Sequence, residues 1–144
     1  MKNLLYLLFV LPLLFSCGDA SEGKKENKKD MSKVSLKGGD DKDYELDVLI
    51  QGAVKDIMTY ELIQKVAESA NSYAKYGVKN RRTYKPNTDE ELFFSGDDND
   101  NDTLCVSFKI IAANSYGVEG DLSCLFYFDK NGNEIKDESF VREF

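Results

Sequence analysis

Four aspartates lie within six residues of this 144-residue chain, in the stretch GDDNDND: Asp97, Asp98, Asp100 and Asp102. Clustered carboxylates suit Ca²⁺, which takes about six to eight oxygen ligands. Counted from Asp98, however, the sixth position is Thr103 and the twelfth is Lys109, where an EF-hand loop requires Gly and Glu. A solvated turn between two strands explains the same residues. We therefore predict no metal site and no cofactor, and keep the four aspartates only as candidate ligands.

A second loop, DKNGNEIKD, also imitates a calcium site, because Asp129, Asn131 and Asn133 occupy its first, third and fifth positions. Its sixth position is Glu134, where the sharp bend of an EF-hand loop needs Gly. The pair Asn131-Gly132 is typical of a two-residue β-hairpin turn. A hairpin accounts for this loop without a metal.

Catalysis is restricted by the absence of histidine from the chain. This absence excludes Ser-His-Asp and Cys-His catalysis and the usual zinc sites. Carboxylates such as Glu90, Glu91, Asp121 and Glu138 could supply acid and base groups, but their positions follow no catalytic pattern. No catalytic residue is predicted, and the chain is expected not to be an enzyme.

The net charge of −7 excludes another class of function. Residues 44–144 hold 11 Lys and Arg against 19 Asp and Glu, which gives −8 for this part of the chain. An acidic domain lacks the basic surface that binding to a phosphate backbone requires. Nucleic acid is therefore not expected as a partner.

The first of the three cysteines, Cys17, follows an apolar leader. Lys2 precedes twelve consecutive apolar residues from Leu4 to Phe15. This apolar stretch is shorter than the roughly 20 residues that span a bilayer. Its length and the preceding lysine are typical of a secretory signal peptide. The sequence Leu14-Phe15-Ser16-Cys17 resembles the lipobox of bacterial lipoproteins.

The lipoprotein resemblance implies cleavage before Cys17, a diacylglyceryl group on its sulfur, and an acyl chain such as palmitate on the new amine. Residues 1–16 would then be the signal peptide, and the protein would be held at a membrane of the bacterial cell envelope. Asp19 and Glu22 could belong to an export signal that favours the outer membrane or the cell surface. The membrane, its face and the oligomeric state stay open.

The stretch after the cysteine is predicted to be a disordered tether. Between Gly18 and Asp43 its only large apolar residues are Met31, Val34 and Leu36, and its lysines are balanced by acids. Such a segment buries too little apolar surface to offset its conformational entropy. The predicted organisation is thus signal peptide 1–16, lipidated cysteine and tether 17–43, and folded domain 44–144.

The domain is predicted to consist of one helix and several strands. Tyr44–Gln51 alternates apolar and polar residues, and Met58–Gly77 repeats apolar residues every three or four positions, with Thr59 as N-cap and Gly77 as its end. An extended connection, Val78–Glu90, follows the helix. It carries the domain's basic cluster, which consists of Lys79, Arg81, Arg82 and Lys85. The remaining predicted strands are Glu91–Gly96, Leu104–Ile110, Leu122–Phe128 and Glu134–Phe144.

The two other cysteines, Cys105 and Cys124, fall in predicted strands. If Ala113 lies opposite Gly120, then Cys124 lies opposite Lys109, and the two cysteines are separated along the strands by about four residues, roughly 13 Å. A disulfide needs Cα atoms within about 7 Å. We therefore expect two free, largely buried thiols, and leave open whether they ever pair.

The predicted fold class is α+β, with one amphipathic helix packed on a three- to five-stranded antiparallel meander. The chain from Met58 to Lys136 resembles small uncharacterised domains of bacterial lipoproteins, which carry an Asn-Ser-aromatic-Gly loop (here Asn114–Gly117) and a Phe-Asp-x-Asn-Gly turn (here Phe128–Gly132). The outline also resembles cystatin-like folds.

These patterns lead to an expected function. We expect a non-catalytic, membrane-anchored envelope lipoprotein that binds a protein or other envelope ligand through an open sheet face or its loops. One alternative is an immunity protein or inhibitor that neutralises a toxin or enzyme by charge steering. An enzyme of unknown class is the third alternative.

Overall fold

The computed structural model describes residues 30–97, 100–135 and 140–143, with side chains over 30–96 and 102–135. It contains one α-helix, α1 (Tyr60–Gly77), and two short 3₁₀ helices, Gly52–Asp56 and Arg81–Thr83. The strands are β1 (Lys33–Lys37), β2 (Asp43–Ile50), β3 (Lys85–Pro86), β4 (Leu92–Asp97), β5 (Asp100–Ala113), β6 (Glu119–Asp129) and β7 (Phe140–Glu143).

The strands form a sheet in the order β1-β2-β4-β5-β6-β7, and the two-residue β3 pairs with β5 beyond the start of β4. Helix α1 packs on one face of this sheet, which confirms the predicted α+β class. The purely antiparallel meander is wrong, because β2 pairs with β4 in parallel. The long connection through α1 carries the chain back to the end from which β2 started, so β4 runs in the same direction as β2.

The predicted domain boundary at residue 44 is also wrong. Strand β1 lies inside the segment assigned to the tether and pairs antiparallel with β2. Val34 and Leu36 point into the core and are at most 2% exposed. Lys33, Ser35 and Lys37 alternate with them and are exposed, and lysines on an edge strand discourage pairing with another chain.

The predicted helix is confirmed. Its N-cap is Thr59, whose hydroxyl oxygen accepts a hydrogen bond from the Leu62 N–H at 3.2 Å, and it ends at Gly77. Its buried stripe shares one hydrophobic core with the inward-facing residues of the sheet, including Val34 and Leu36 of β1. That stripe consists of Ile63, Val66, Ala67, Ala70 and Ala74.

The β5–β6 hairpin has a register one residue away from the predicted one. Ala113 lies opposite Glu119, not Gly120. The loop Asn114–Val118 is closed by two backbone hydrogen bonds, Asn114 N–H to Val118 C=O at 2.9 Å and Gly117 N–H to Asn114 C=O at 3.1 Å. Gly117 has a φ of 80°. A left-handed glycine at the end of the turn is typical of a bulged hairpin, in which one strand has one residue more than its partner.

A buried hydrogen-bond chain joins three segments that are distant in sequence. The Tyr84 hydroxyl donates to the Asn71 side-chain oxygen at 2.6 Å, and the Asn71 amide donates to the Lys37 carbonyl at 3.0 Å. Tyr84 is fully buried, and burial raises the pKa of its hydroxyl. Because the hydroxyl stays protonated, it remains a donor over the whole accessible pH range.

We predict that Tyr84→Phe lowers the free energy of unfolding by about 1–3 kcal/mol, since it leaves the Asn71 oxygen buried without its donor. Urea denaturation measures the change. Tyr44→Phe is the matched control, because the Tyr44 hydroxyl also donates a hydrogen bond, to Asp40, but at the exposed surface. Equal losses in the two variants would show that burial of the hydrogen bond does not matter.

Candidate functional site

The predicted lipidation site, Cys17, and the whole lipobox lie outside the described residues. Among the residues that are described, no helix combines the length and hydropathy needed to cross a bilayer.

The four candidate calcium ligands surround the turn between β4 and β5. Asp97 pairs with Asp100 across that turn. Asp98 lies outside the described residues, as do the side chains of Asp97 and Asp100. The Asp102 carboxylate accepts a hydrogen bond from the Lys130 ammonium at 2.8 Å. Within the described residues, no group of three or more Cys, Asp and Glu side chains could hold a metal ion.

The second calcium-like loop is a hairpin turn whose aspartate is used internally. The Asp129 carboxylate accepts hydrogen bonds from the Asn131 N–H, the Asn133 N–H and the Asn133 side-chain amide, each at 2.8 Å. Hydrogen bonds from Asn133 and Asn131 lower the pKa of Asp129. The predicted two-residue turn needs a positive φ at both of its central residues. Gly132 has a φ of 76°, but Asn131 has no positive φ. The turn is therefore a bulged turn and not the predicted one.

No disulfide joins Cys105 and Cys124, as predicted. Cys124 lies opposite Phe108, one residue from the predicted register, and Cys105 lies opposite Tyr127. The two cysteines point to opposite faces of the sheet, since Cys124 is buried under α1 and Cys105 belongs to the outward-facing set. Cys105 is only partly buried, which corrects the expectation of two buried thiols. Burial raises the pKa of Cys124 to about 12, so it is a poor nucleophile.

The hairpin tip at Asn114–Val118 repeats the geometry of the 129–133 turn. The Asn114 side-chain oxygen accepts from the Tyr116 N–H at 2.9 Å and the Val118 N–H at 3.1 Å, as the Asp129 carboxylate does in the other turn. This bonding fixes the backbone of the tip. Tyr116 is 90% exposed and Val118 62% exposed, so a well-defined turn presents two large apolar side chains to solvent.

The surroundings of the two turns differ. At 129–133 the turn packs on α1, where the Lys65 ammonium donates to the Asn131 carbonyl at 2.6 Å. A Cβ on Gly132 would meet Leu62 and Val66 at 3.0 Å. The Asn114–Val118 turn lies beyond the sheet, and a Cβ on Gly117 would meet nothing within 4 Å.

The basic cluster of the sequence lies beside the exposed turn. The Ala113 N–H donates to the Thr83 hydroxyl oxygen at 2.8 Å, which attaches the 78–83 connection to the base of the hairpin. Arg81 lies over the ring of Tyr76, 4.6 Å from its centroid, and Tyr76 is 63% exposed. We call the Tyr76–Thr83 segment together with the Asn114–Val118 turn the loop end.

A groove of about 310 Å³ runs through the loop end. One wall is the end of α1 with Val78 and Lys79, and the other is the hairpin from Ala112 to Leu122. Within the described residues, β7 pairs with Leu122–Leu125 of β6, and the preceding β6 residues, Glu119–Asp121, line the groove. Apolar, cationic and backbone polar groups therefore meet in one concave surface together with the carboxylates of Glu119 and Asp121.

The sheet face opposite α1 offers a second surface. Leu49, Phe93, Ser107 and Leu125 are cross-strand neighbours in one row on this face, and all four are partly buried. Beside this row the Glu90 carboxylate accepts a hydrogen bond from Lys109 at 2.6 Å, and this contact raises the pKa of Lys109. Glu90 is thus occupied by an ion pair.

Sequence reasoning found the parts of the loop end separately. It identified the basic cluster and the Asn-Ser-Tyr-Gly loop, but it did not bring them together, because their contact joins residues 30 positions apart. The exposure of Tyr116 had no local signal, since the equivalent turn at 129–133 is packed against the helix.

Comparisons with known proteins give no relative for this chain. It matches no protein-family model, no curated protein is significantly similar to it, and no solved structure matches its fold.

We predict that alkylation of the native, unreduced protein modifies Cys105 within minutes and Cys124 only after denaturation, because Cys124 is 1% exposed. Mass spectrometry before and after denaturation counts the modified thiols. A native protein that resists alkylation at both positions after denaturation would instead indicate a disulfide.

A second prediction concerns acid stability. The folded-state pKa of Asp129 lies below its unfolded value. The ionised carboxylate therefore contributes to the free energy of unfolding above about pH 4, and this contribution is lost as the pH falls through the folded-state pKa. Asp129→Asn should keep the turn, as Asn114 does, and the resulting loss of stability should be largest near pH 7 and shrink as the pH falls below about 4. Urea denaturation across this pH range measures the difference in unfolding free energy between variant and wild type. Asp56→Asn is the exposed control. A difference for Asp129→Asn that does not change with pH would contradict the prediction.

Proposed function

We propose that this chain is a non-catalytic lipoprotein of the bacterial cell envelope, anchored through Cys17, whose domain binds a ligand at the loop end. The observation that carries the binding role is the exposed Tyr116 on a turn held by four internal hydrogen bonds. A large aromatic side chain in a fixed position loses little entropy on binding and contributes much contact area. The outer membrane or the cell surface is the proposed location.

The anchoring role is supported by the leader and its cysteine. The two other cysteines do not compete for this role, since both lie in the sheet. Acyl chains at Cys17 would hold the domain at the membrane surface.

A second candidate function is an immunity protein or inhibitor of a basic toxin or enzyme. The observation that favours it is the apolar row Leu49, Phe93 and Leu125 on an outer sheet face beside the acidic Glu91. Such a surface would attract a basic partner and exclude water around an apolar contact. This candidate shares the anchor and differs in the binding surface.

We predict that cells given radioactive palmitate label the wild-type protein and do not label Cys17→Ala, because that variant lacks the sulfur that accepts the diacylglyceryl group. Immunoprecipitation and detergent phase partitioning measure the two effects. Cys105→Ala is the matched control and should label and partition like the wild type. Palmitate labelling of Cys17→Ala would overturn the proposed anchor.

A further inference from the structure

Cations that form neither an ion pair nor a hydrogen bond to a backbone carbonyl are concentrated at the loop end of the described structure, where Arg81 lies over the Tyr76 ring. Among the described side chains, six lysines form ion pairs and two donate to backbone carbonyls. The cations with neither kind of partner are Lys55, Lys79, Arg81 and Arg82. Three of these four belong to one loop of five residues, in a chain whose net charge is −7.

Exposed apolar side chains are concentrated there as well. Among the described side chains, five large hydrophobic ones are exposed; Tyr76, Tyr116 and Val118 of these lie at the loop end, and Tyr116 has the highest exposure of the five at 90%. Tyrosines beside arginines and lysines are typical of protein segments that lie at a membrane–water interface, where the ring meets the acyl boundary and the cations meet the headgroups.

Charge complementarity favours an anionic surface in spite of the acidic domain. At physiological ionic strength, charges more than about 8 Å apart are largely screened. Two acids, Glu119 and Asp121, line the same groove as Lys79. Glu119 is paired with Lys85, so Lys79, Arg81 and Arg82 outnumber the remaining acid of the groove, and acids at the other end of the domain contribute little. Those distant acids would instead disfavour any orientation that brings another end of the domain to the same surface.

The position of the anchor permits this contact. Strand β1 runs towards the loop end, since Gly39, just after it, donates its N–H to the Tyr84 carbonyl at 2.7 Å. Asp30 lies about nine residues before Gly39, so it is within about 30 Å of the loop end. The 13 steps from Cys17 to Asp30 can span at most about 45 Å. The anchor and the loop end can therefore contact the same membrane.

We propose that the loop end docks on the anionic phospholipid headgroups of the membrane that holds the anchor, with Lys79, Arg81 and Arg82 at the phosphates and Tyr116 at the interface. This inference rests on the proposed anchoring and names the ligand of the loop end. The anchor keeps the domain at high local concentration, so a weak contact is sufficient to orient it. Each cation near such a surface changes the docked-to-undocked ratio roughly fivefold.

A tryptophan reporter tests the docking, because the chain contains no Trp. The lipidated protein carrying Tyr116→Trp is incorporated into vesicles of brominated phosphatidylcholine, either alone or with about one third phosphatidylglycerol. We expect quenching and a blue shift of Trp fluorescence in the anionic vesicles, reversed by salt near 1 M, where the screening length falls to about 3 Å. Ile57→Trp, at the opposite end of α1, should stay unquenched.

Variants of the cations provide the second arm. The triple variant Lys79→Gln, Arg81→Gln, Arg82→Gln should lower the docked-to-undocked ratio on the order of 100-fold. Lys55→Gln removes the one other unpartnered cation of the described side chains and should leave the ratio unchanged. Circular dichroism establishes that each variant is folded.

Three outcomes would overturn the docking proposal. They are equal quenching in neutral and anionic vesicles, no quenching in either, or a reporter that responds only when a soluble envelope protein is added. The last outcome would assign the loop end to a protein partner. Flotation of the vesicles separates this failure from failure of the proposed anchor: a protein that floats with the vesicles but shows no quenching retains its anchor, whereas one that does not float lacks it.

Discussion

The arrangement of the whole domain depends on one buried hydroxyl, that of Tyr84. A buried hydroxyl must have a partner, and its partner Asn71 is held in turn by the Lys37 carbonyl. The backbone carbonyl of Tyr84 accepts a hydrogen bond from the Gly39 N–H. A Cβ on Gly39 would lie 1.7 Å from the Arg81 carbonyl oxygen. Helix α1, the connection after it and the β1–β2 turn consequently have one relative position, and the basic loop is placed by that constraint.

The two hairpin turns show how similar local structures acquire different roles. Asn114 and Asp129 accept the same pair of backbone hydrogen bonds, and a left-handed glycine follows each of them by three residues. At 129–133 the helix covers the turn and Lys65 attaches it, so the turn contributes to stability. At 114–118 the hairpin extends past the helix, so the same backbone geometry holds Tyr116 in solvent. Local sequence sets the turn, whereas the length of the neighbouring elements sets its exposure.

The sequence predicted those elements whose pattern is local. The 3.6-residue period located α1 and its Thr59 cap, and alternation located β2, β5 and β6. Strand β1 was missed because Val34 and Leu36 are its only apolar residues and its other positions are charged or polar. The parallel pairing of β2 with β4 was missed because no local signal states which distant strand is the neighbour. The loop end was missed for the same reason, since the Thr83–Ala113 hydrogen bond joins two segments that sequence patterns treat independently.

Under the proposed anchoring at Cys17, the inclusion of β1 in the sheet shortens the chain between the anchor and the folded domain. With a boundary at residue 44, the 27 steps from Cys17 could extend to about 90 Å, and the domain would sample a large volume. Because the sheet starts at Lys33 and the described structure starts at Asp30, the chain from Cys17 to Asp30 can extend to at most about 45 Å. This length is close to that of the 14-residue strand β5, about 47 Å. A domain held within its own length of the membrane loses less entropy when one of its ends contacts the surface than a domain on a long tether does. The five residues that were missed as a strand therefore strengthen the case that the domain acts at the membrane surface and not far from it.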